Sequence, residues 1–308
     1  MATIFGTAGR DTLVGEAGDV TIEGGGGGDY IYVWGSSGLS YRHLVVHEIG
    51  SGNILIFDTP APVAGLGQLR TSIDIGSGVA SAEVVSGDSN QHIADIAFTG
   101  INNVRGSPGA DFITGSEGAD TIDTGVGGLD IVRGYAGDDL IELSQYADHG
   151  EANGNTGNDT LSGGGEFSTL YGGQGNDRIS AFGPSATANG NRGDDLLVGS
   201  IFGGDSLYGG QGDDSIQGGR GKDWISGDLG HNTLTGAGAA DTFHASAGDD
   251  FVSDFSIADG DRVQVDAGLT YEAHQAGSNV EITLANSGHM TLQNVQLSSL
   301  PAGWIFSP

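Results

Sequence analysis

A large aliphatic side chain or a phenylalanine returns every nine residues through most of this chain. Ile113, Ile122, Val132, Ile141, Leu161, Leu170, Ile179, Leu197, Leu207, Ile216, Ile225, Leu234, Phe243 and Val252 keep that beat. One or two residues are inserted at a few points, and the position slips only at Gly150 and Ala188. A side chain turned inward between two turned outward has the period of a β-strand. The intervening six residues are rich in glycine, which allows left-handed φ and close backbone approach, and this segment reads as a turn. Two nonapeptides, 18 residues, then make one coil with two strands, and successive coils add to two parallel sheets. No coil buries its aliphatic residue alone, so the stack is the stable unit.

The full template is G-G-x-G-x-D-x-U-x, with U the apolar position. Residues 6–32 give GTAGRDTLV, GEAGDVTIE and GGGGGDYIY, and the pattern returns at Gly106 with GSPGADFIT and runs to Ser253. Because successive repeats face opposite edges, position six splits into two rows. One holds Asp120, Asp139, Asp159, Asp177, Asp195, Asp214, Asn232 and Asp250; the other holds Asp111, Asp130, Asp148, Ser168, Ala186, Asp205, Asp223 and Asp241. Asp11 and Asp29 occupy the slot in the first block. The first row predicts a nearly unbroken ladder of cation sites. The second predicts a gap at Ser168 and Ala186, and a weak copy at Asp148.

Composition sharpens this picture. Glycine accounts for 59 residues but proline for only 6, which excludes collagen. Forty acidic residues against ten basic ones leave a net charge of −30, so nucleic acid and anionic membranes are poor partners. Self-repulsion on that scale opposes a compact state unless cations intervene, and Ca²⁺ suits clustered carboxylates, taking six to eight oxygens at about 2.3–2.6 Å. About ten Ca²⁺ would offset roughly two thirds of the charge. There are no cysteines, so disulfides and thiolate metal sites are out. The first residues lack the basic and apolar regions of a Sec signal, and no apolar run approaches a membrane span.

These nonapeptides resemble the repeat of RTX proteins (repeats in toxin, or hemolysin-type calcium-binding repeats), over 6–32 and 106–253. The resemblance implies an all-β parallel β-roll, a β-solenoid, with Ca²⁺ between the turns of adjacent coils. Position-six residues and turn carbonyls would then be ligands: Asp11, Asp29, Asp111, Asp120, Asp130, Asp139, Asp159, Asp177, Asp195, Asp205, Asp214, Asp223, Asn232, Asp241 and Asp250. It also implies secretion from a Gram-negative bacterium to the exterior or cell surface, through a type I secretion exporter. The expected organisation is 1–105, early repeats plus irregular β coils; 106–253, the calcium-binding roll; and 254–308, a β cap carrying the export segment. Within 33–105 strand character persists without the glycine turn, and Val104 and Asn102 take the apolar and aspartate slots of a coil leading into the roll.

Catalytic motifs are not found. His47-Glu48 begins like a zincin helix, but Ser51 replaces the second histidine. His43 and His47 share a strand face, a pairing more often decorative than metal-binding. Gly35-Ser36-Ser37-Gly38 has the wrong spacing for a nucleophile elbow, and Asp223 breaks a P-loop around Lys222. Acid pairs suited to glycosidase chemistry are inevitable among 40 acids and read better as metal ligands. Trp34 and Trp224 are candidate contacts for carbohydrate or protein, against a plainer packing role. The expectation is a calcium-stabilised, non-enzymatic structural or surface-interaction protein, binding surface polysaccharide or self-associating through calcium. The alternative is an RTX module of an enzyme, or a small solenoid enzyme, acting on extracellular polysaccharide or other polymers.

Overall fold

Every apolar position of the repeat faces a gap between two sheets, and the columns it forms set the architecture. The computed structural model describes all residues except 1, 16–19, 35–41, 48–53, 59–67, 87–88, 100, 145, 147–148 and 286. Asp148, Glu48, Ser51 and the Gly35–Gly38 segment therefore lie outside the described residues, as do the side chains of Trp34, His43 and His47. The chain divides into two compact units, Met1–Gly154 and Asn155–Pro308. Among the described residues the only helical element is a single 3-10 turn, Leu297–Ser299. None is long and apolar enough to cross a membrane.

In the second unit, strands Thr160–Gly163, Arg178–Ala181, Leu196–Val198, Ser215–Gly219, His231–Ala237 and Asp249–Val252 lie side by side in parallel. Their registers align Leu161, Ile179, Leu197, Ile216, Leu234 and Val252, then Leu292 of His289–Leu292. The facing sheet aligns Leu170, Ala188, Leu207, Ile225, Phe243, Val263 and Ile305. All but Ile305 are buried, so one aligned side chain per strand forms the spine of the core, joined by Ala181, Ala245, Val265 and Met290. The unit closes on an antiparallel hairpin, Tyr271–Ala276 with Asn279–Leu284, paired to His289–Leu292. Phe255 sits between Phe243 and Trp304, at ring separations of 6.2 and 6.4 Å.

The first unit follows the same plan with an interruption. Leu13, Ile31, Leu55, Val104, Ile122 and Ile141 form one continuous buried column, so the stretch without glycine turns still supplies a coil. In the opposite sheet the chain leaves the nonapeptide rhythm. Gln68–Asp74, Val79–Ser86 and Ser89–Thr99 make an antiparallel meander, set between the parallel partners Arg42–His47 and Asp111–Thr114. The all-β parallel β-roll expected from the repeat is the observed fold, and the irregular region is coil plus meander.

Candidate metal centres

Most turns end at a buried position-six aspartate, and along the rows its carboxylate reaches back one coil. In the second unit the backbone N–H of Asp159 donates to Oδ1 of Asp177 at 2.8 Å, Asp177 to Asp195 at 2.7 Å, and Asp195 to Asp214 at 2.8 Å. Asp214 donates to Oδ1 of Asn232 at 2.9 Å, whose Nδ2 donates to Asp250 at 3.0 Å. On the other edge the series is Ala186 to Asp205, Asp205 to Asp223 and Asp223 to Asp241. In the first unit Asp11 donates to Asp29, Asp111 to Asp130 and Asp120 to Asp139. The structure thus places every sequence-derived ligand candidate on one of these two rows.

Position one explains why glycine recurs there without a left-handed φ. A Cβ on Gly190 would collide with Oδ2 of Asp195 and lie 2.6 Å from the Gly209 carbonyl of the next coil. Gly172, Gly209 and Gly218 stand in the same relation to Asp177, Asp214 and Asp223. Carboxylate oxygen and carbonyl oxygen from adjacent coils converge where a side chain would otherwise be.

Position two sorts the turns into two kinds. In four turns it is Ser or Thr, and its N–H donates to Oδ2 of the same turn's aspartate. These pairs are Thr7 with Asp11 at 2.5 Å, Ser107 with Asp111 at 2.8 Å, Ser116 with Asp120 at 2.6 Å, and Ser200 with Asp205 at 2.6 Å. In other turns position two is left-handed, with φ of 119° at Gly173, 73° at Asn191, 108° at Gly210 and 129° at Gly219. There the buried Oδ2 atoms of Asp177, Asp195, Asp214 and Asp223 have no hydrogen-bond partner. A buried carboxylate oxygen without a donor is costly. The convergent, unsatisfied oxygens fit a hard cation such as Ca²⁺. Among the described residues no three acidic or histidine side chains cluster, so any such site draws on carbonyls as well as carboxylates.

Burial pushes the carboxyls of Asp177, Asp195 and Asp214 up to about 7, and neighbouring aspartates add to the rise. Asp241 and Asp250 are raised to about 7, and Asp130, Asp205 and Asp223 to about 6, again chiefly by burial.

The gap in the second row has its own geometry. Ser168 closes its turn locally, Oγ donating to the Gly165 carbonyl at 2.9 Å, and the methyl of Ala186 has no oxygen to contribute. Phe167 and Ser185, one residue earlier in each, carry the left-handed φ instead, at 58° and 59°.

Two features escaped the sequence reading. Asp261 extends the second row, Oδ1 accepting the Asp241 N–H at 3.0 Å, and Ser256 donates to its Oδ2 at 2.8 Å. Its spacing of 20 residues hides it from a nine-residue template. Position five of the first row runs a reciprocal ladder, N–H of Asn176 to Asn158, Asp194 to Asn176, and Asp213 to Asp194. Its signal was the run Asn158, Asn176, Asp194, Asp213 at a position left unassigned by the template.

One constellation superficially suggests catalysis. Ser226 Oγ lies 3.1 Å from His244 Nδ1, and His244 Nε2 lies 3.1 Å from Asp266. The Ser226 hydroxyl is fully buried and donates to Asp228 at 2.6 Å, so its proton is directed away from the imidazole. Trp224 stacks on His244 at a ring separation of 5.1 Å and lies tilted against Tyr208 at 4.8 Å, which makes it part of a cross-strand packing column.

A family model described as "RTX calcium-binding nonapeptide repeat (4 copies)" matches residues 5–36, 96–128, 124–144, 153–181, 202–234 and 220–252, more than half of the chain. No curated protein matches. Among solved structures, the extracellular lipase LipA from Serratia marcescens is similar at 16% identity with a TM-score of 0.18. That alignment covers 99% of this chain but only 40% of the lipase, and the likeness carries no functional weight.

Proposed function

This chain belongs to the RTX calcium-binding nonapeptide repeat family, and on that premise we propose a secreted, non-enzymatic structural or surface-interaction protein whose roll folds on binding Ca²⁺ outside the cell. The observation that carries this is the set of buried, unpartnered Oδ2 atoms at Asp177, Asp195, Asp214 and Asp223. Bound Ca²⁺ supplies positive charge and an acceptor-seeking centre for those oxygens. The chain's own residues do the rest. Oδ1 atoms fix coil spacing through the preceding N–H groups, and the first glycine leaves room for carboxylate and carbonyl to meet.

The same reading assigns the sites. Left-handed second residues mark ten turns among the described residues: Gly25, Gly125, Tyr135, Asn155, Gly173, Asn191, Gly210, Gly219, Asp228 and Ala237. These turns end at Asp29, Asp130, Asp139, Asp159, Asp177, Asp195, Asp214, Asp223, Asn232 and Asp241. The turns of Asp11, Asp111 and Asp205, satisfied by their own amides, are structural. At Asp120 the case is mixed, because Oδ2 accepts from Ser116 while Oδ1 is buried without a partner.

Before export, in a calcium-poor cytosol, mutual repulsion keeps the chain extended for a type I exporter. Outside, extracellular modules bind Ca²⁺ at roughly 10⁻⁴–10⁻³ M, within reach of millimolar calcium. Each site stabilises the folded form by RT ln(1 + [L]/Kd), so several sites together make a steep transition. Anionic surface polysaccharide, bridged by calcium, is the proposed partner class. Circular dichroism during a calcium titration tests the central claim: β-structure should appear cooperatively between micromolar and millimolar calcium. A fold and melting temperature indifferent to a chelator would refute it.

A further inference from the structure

Four successive turns on the second edge of the Asn155–Pro308 unit carry an apolar crest. They contain Glu166 and Phe167; Phe182; Ile201 and Phe202; and Arg220 and Lys222. The turns are stacked directly. Phe182 N–H donates to the Gly163 carbonyl at 2.6 Å, Ser200 Oγ to the Phe182 carbonyl at 3.0 Å, and Arg220 N–H to the Ser200 carbonyl at 3.3 Å. The crest coincides with the gap at Ser168 and Ala186, where the ladder lacks carboxylates. Phe167, Phe182, Ile201 and Phe202 are 47, 55, 60 and 74% exposed, an unusual concentration of large apolar side chains on so charged a chain. Patches of this kind mark contact surfaces.

Charge says what fits. Along the stack the order is acidic, apolar, apolar, basic, and Glu166, Arg220 and Lys222 are all exposed. None of these three takes part in the ion pairs found among the described residues. An antiparallel copy, related by a two-fold axis between the second and third turns, sets Glu166 opposite Arg220 and Lys222. The same operation sets Phe182 opposite Ile201 and Phe202. Coils about 4.8 Å apart put the first and fourth turns about 14 Å apart on both copies, so the match is in register. The pattern is self-complementary, as an isologous interface requires. We propose that this crest is the contact surface of an antiparallel homodimer, distinct from any association through shared calcium. The patch is small, so the dimer is weak and concentration-dependent.

Sedimentation velocity of the full chain in millimolar calcium, from low to several hundred micromolar protein, tests this. The expected result is a reversible monomer–dimer equilibrium. Phe182→Asp and Phe202→Asp should weaken it at least about tenfold, a loss of roughly 1.4 kcal/mol. Glu166→Lys alone, and Arg220→Glu with Lys222→Glu, should each weaken association, while the triple variant restores it. Circular dichroism in calcium confirms that each variant is folded. A monomer at every concentration, a dimer indifferent to the phenylalanine changes, or a triple variant that stays monomeric would overturn the proposal. Binding to phosphatidylcholine–phosphatidylglycerol vesicles by a chain that remains monomeric would also overturn it, in favour of a lipid surface.

Discussion

At Gly190 a single hydrogen decides whether two coils can meet. Replacing it with methyl drives Cβ against the Asp195 carboxylate and the Gly209 carbonyl. Gly190→Ala should therefore raise the calcium midpoint of folding several-fold. Gly268→Ala, at an open turn with φ of 82°, should cost only about 1–2 kcal/mol of strain and leave that midpoint nearly unchanged. The two kinds of turn separate by ion counting. Asp214→Ala should lower the calcium bound per chain in equilibrium dialysis, whereas Asp205→Ala should leave it unchanged. Asp205→Ala still orphans the Ser200 and Ala186 amides, at a cost of about 1–3 kcal/mol each. Protonation offers a third check. Carboxyls raised to about 6 or 7 in the fold bind protons more tightly than in the unfolded chain. Calcium-free stability is then greatest below the unfolded value near 4 and falls as pH rises through 6 to 7. Calcium-stripped protein should show more β-structure by circular dichroism at pH 4.5 than at pH 8, and a reversed order would contradict the burial of these groups.

Elements were legible wherever one side chain carried the information. The apolar column from Leu161 to Val252 follows from the nine-residue rhythm, because a strand with one inward residue has little freedom of register. Leu55 belongs to such a column too, yet lacks a glycine turn to announce it. The meander of Gln68–Asp74, Val79–Ser86 and Ser89–Thr99 was invisible because its pairing is antiparallel and long-range, with no repeat to fix partners. Asp261 was missed for a related reason: two extra residues enlarge its turn while preserving the hydrogen bond that defines its place. The distinction between self-closed and open turns depends on backbone φ at position two, and Tyr135 and Ala237 show that a non-glycine residue can be left-handed there. Columns also predict energetics. Leu207 pairs with Ala188 on one side and Ile225 on the other, so Leu207→Ala would leave two adjacent small residues. It should cost roughly 2–5 kcal/mol, measurable by urea unfolding in saturating calcium, with Ala188→Leu as the overpacked counterpart.

For the molecule as a whole, a net charge of −30 sets the terms of folding. Screening acts on the same repulsion that cation binding relieves, but without satisfying buried oxygens. Added monovalent salt should therefore compact the calcium-free chain only partially. Small-angle scattering in chelator with increasing sodium chloride should show shrinkage well short of the calcium-loaded radius.

The strands that finish the second unit bear on a different hazard. A stack of parallel strands offers its last member as a template, and an identical neighbour would extend it without limit. Here one terminal strand, Tyr271–Ala276, is reached through two antiparallel pairings instead of a further glycine turn, and it exposes Glu272, His274 and Gln275. The other, Ile305–Phe306, is only two residues long. An incoming coil would meet exposed charged and polar side chains at one ledge and too short a strand at the other, so end-on fibre growth is opposed at both.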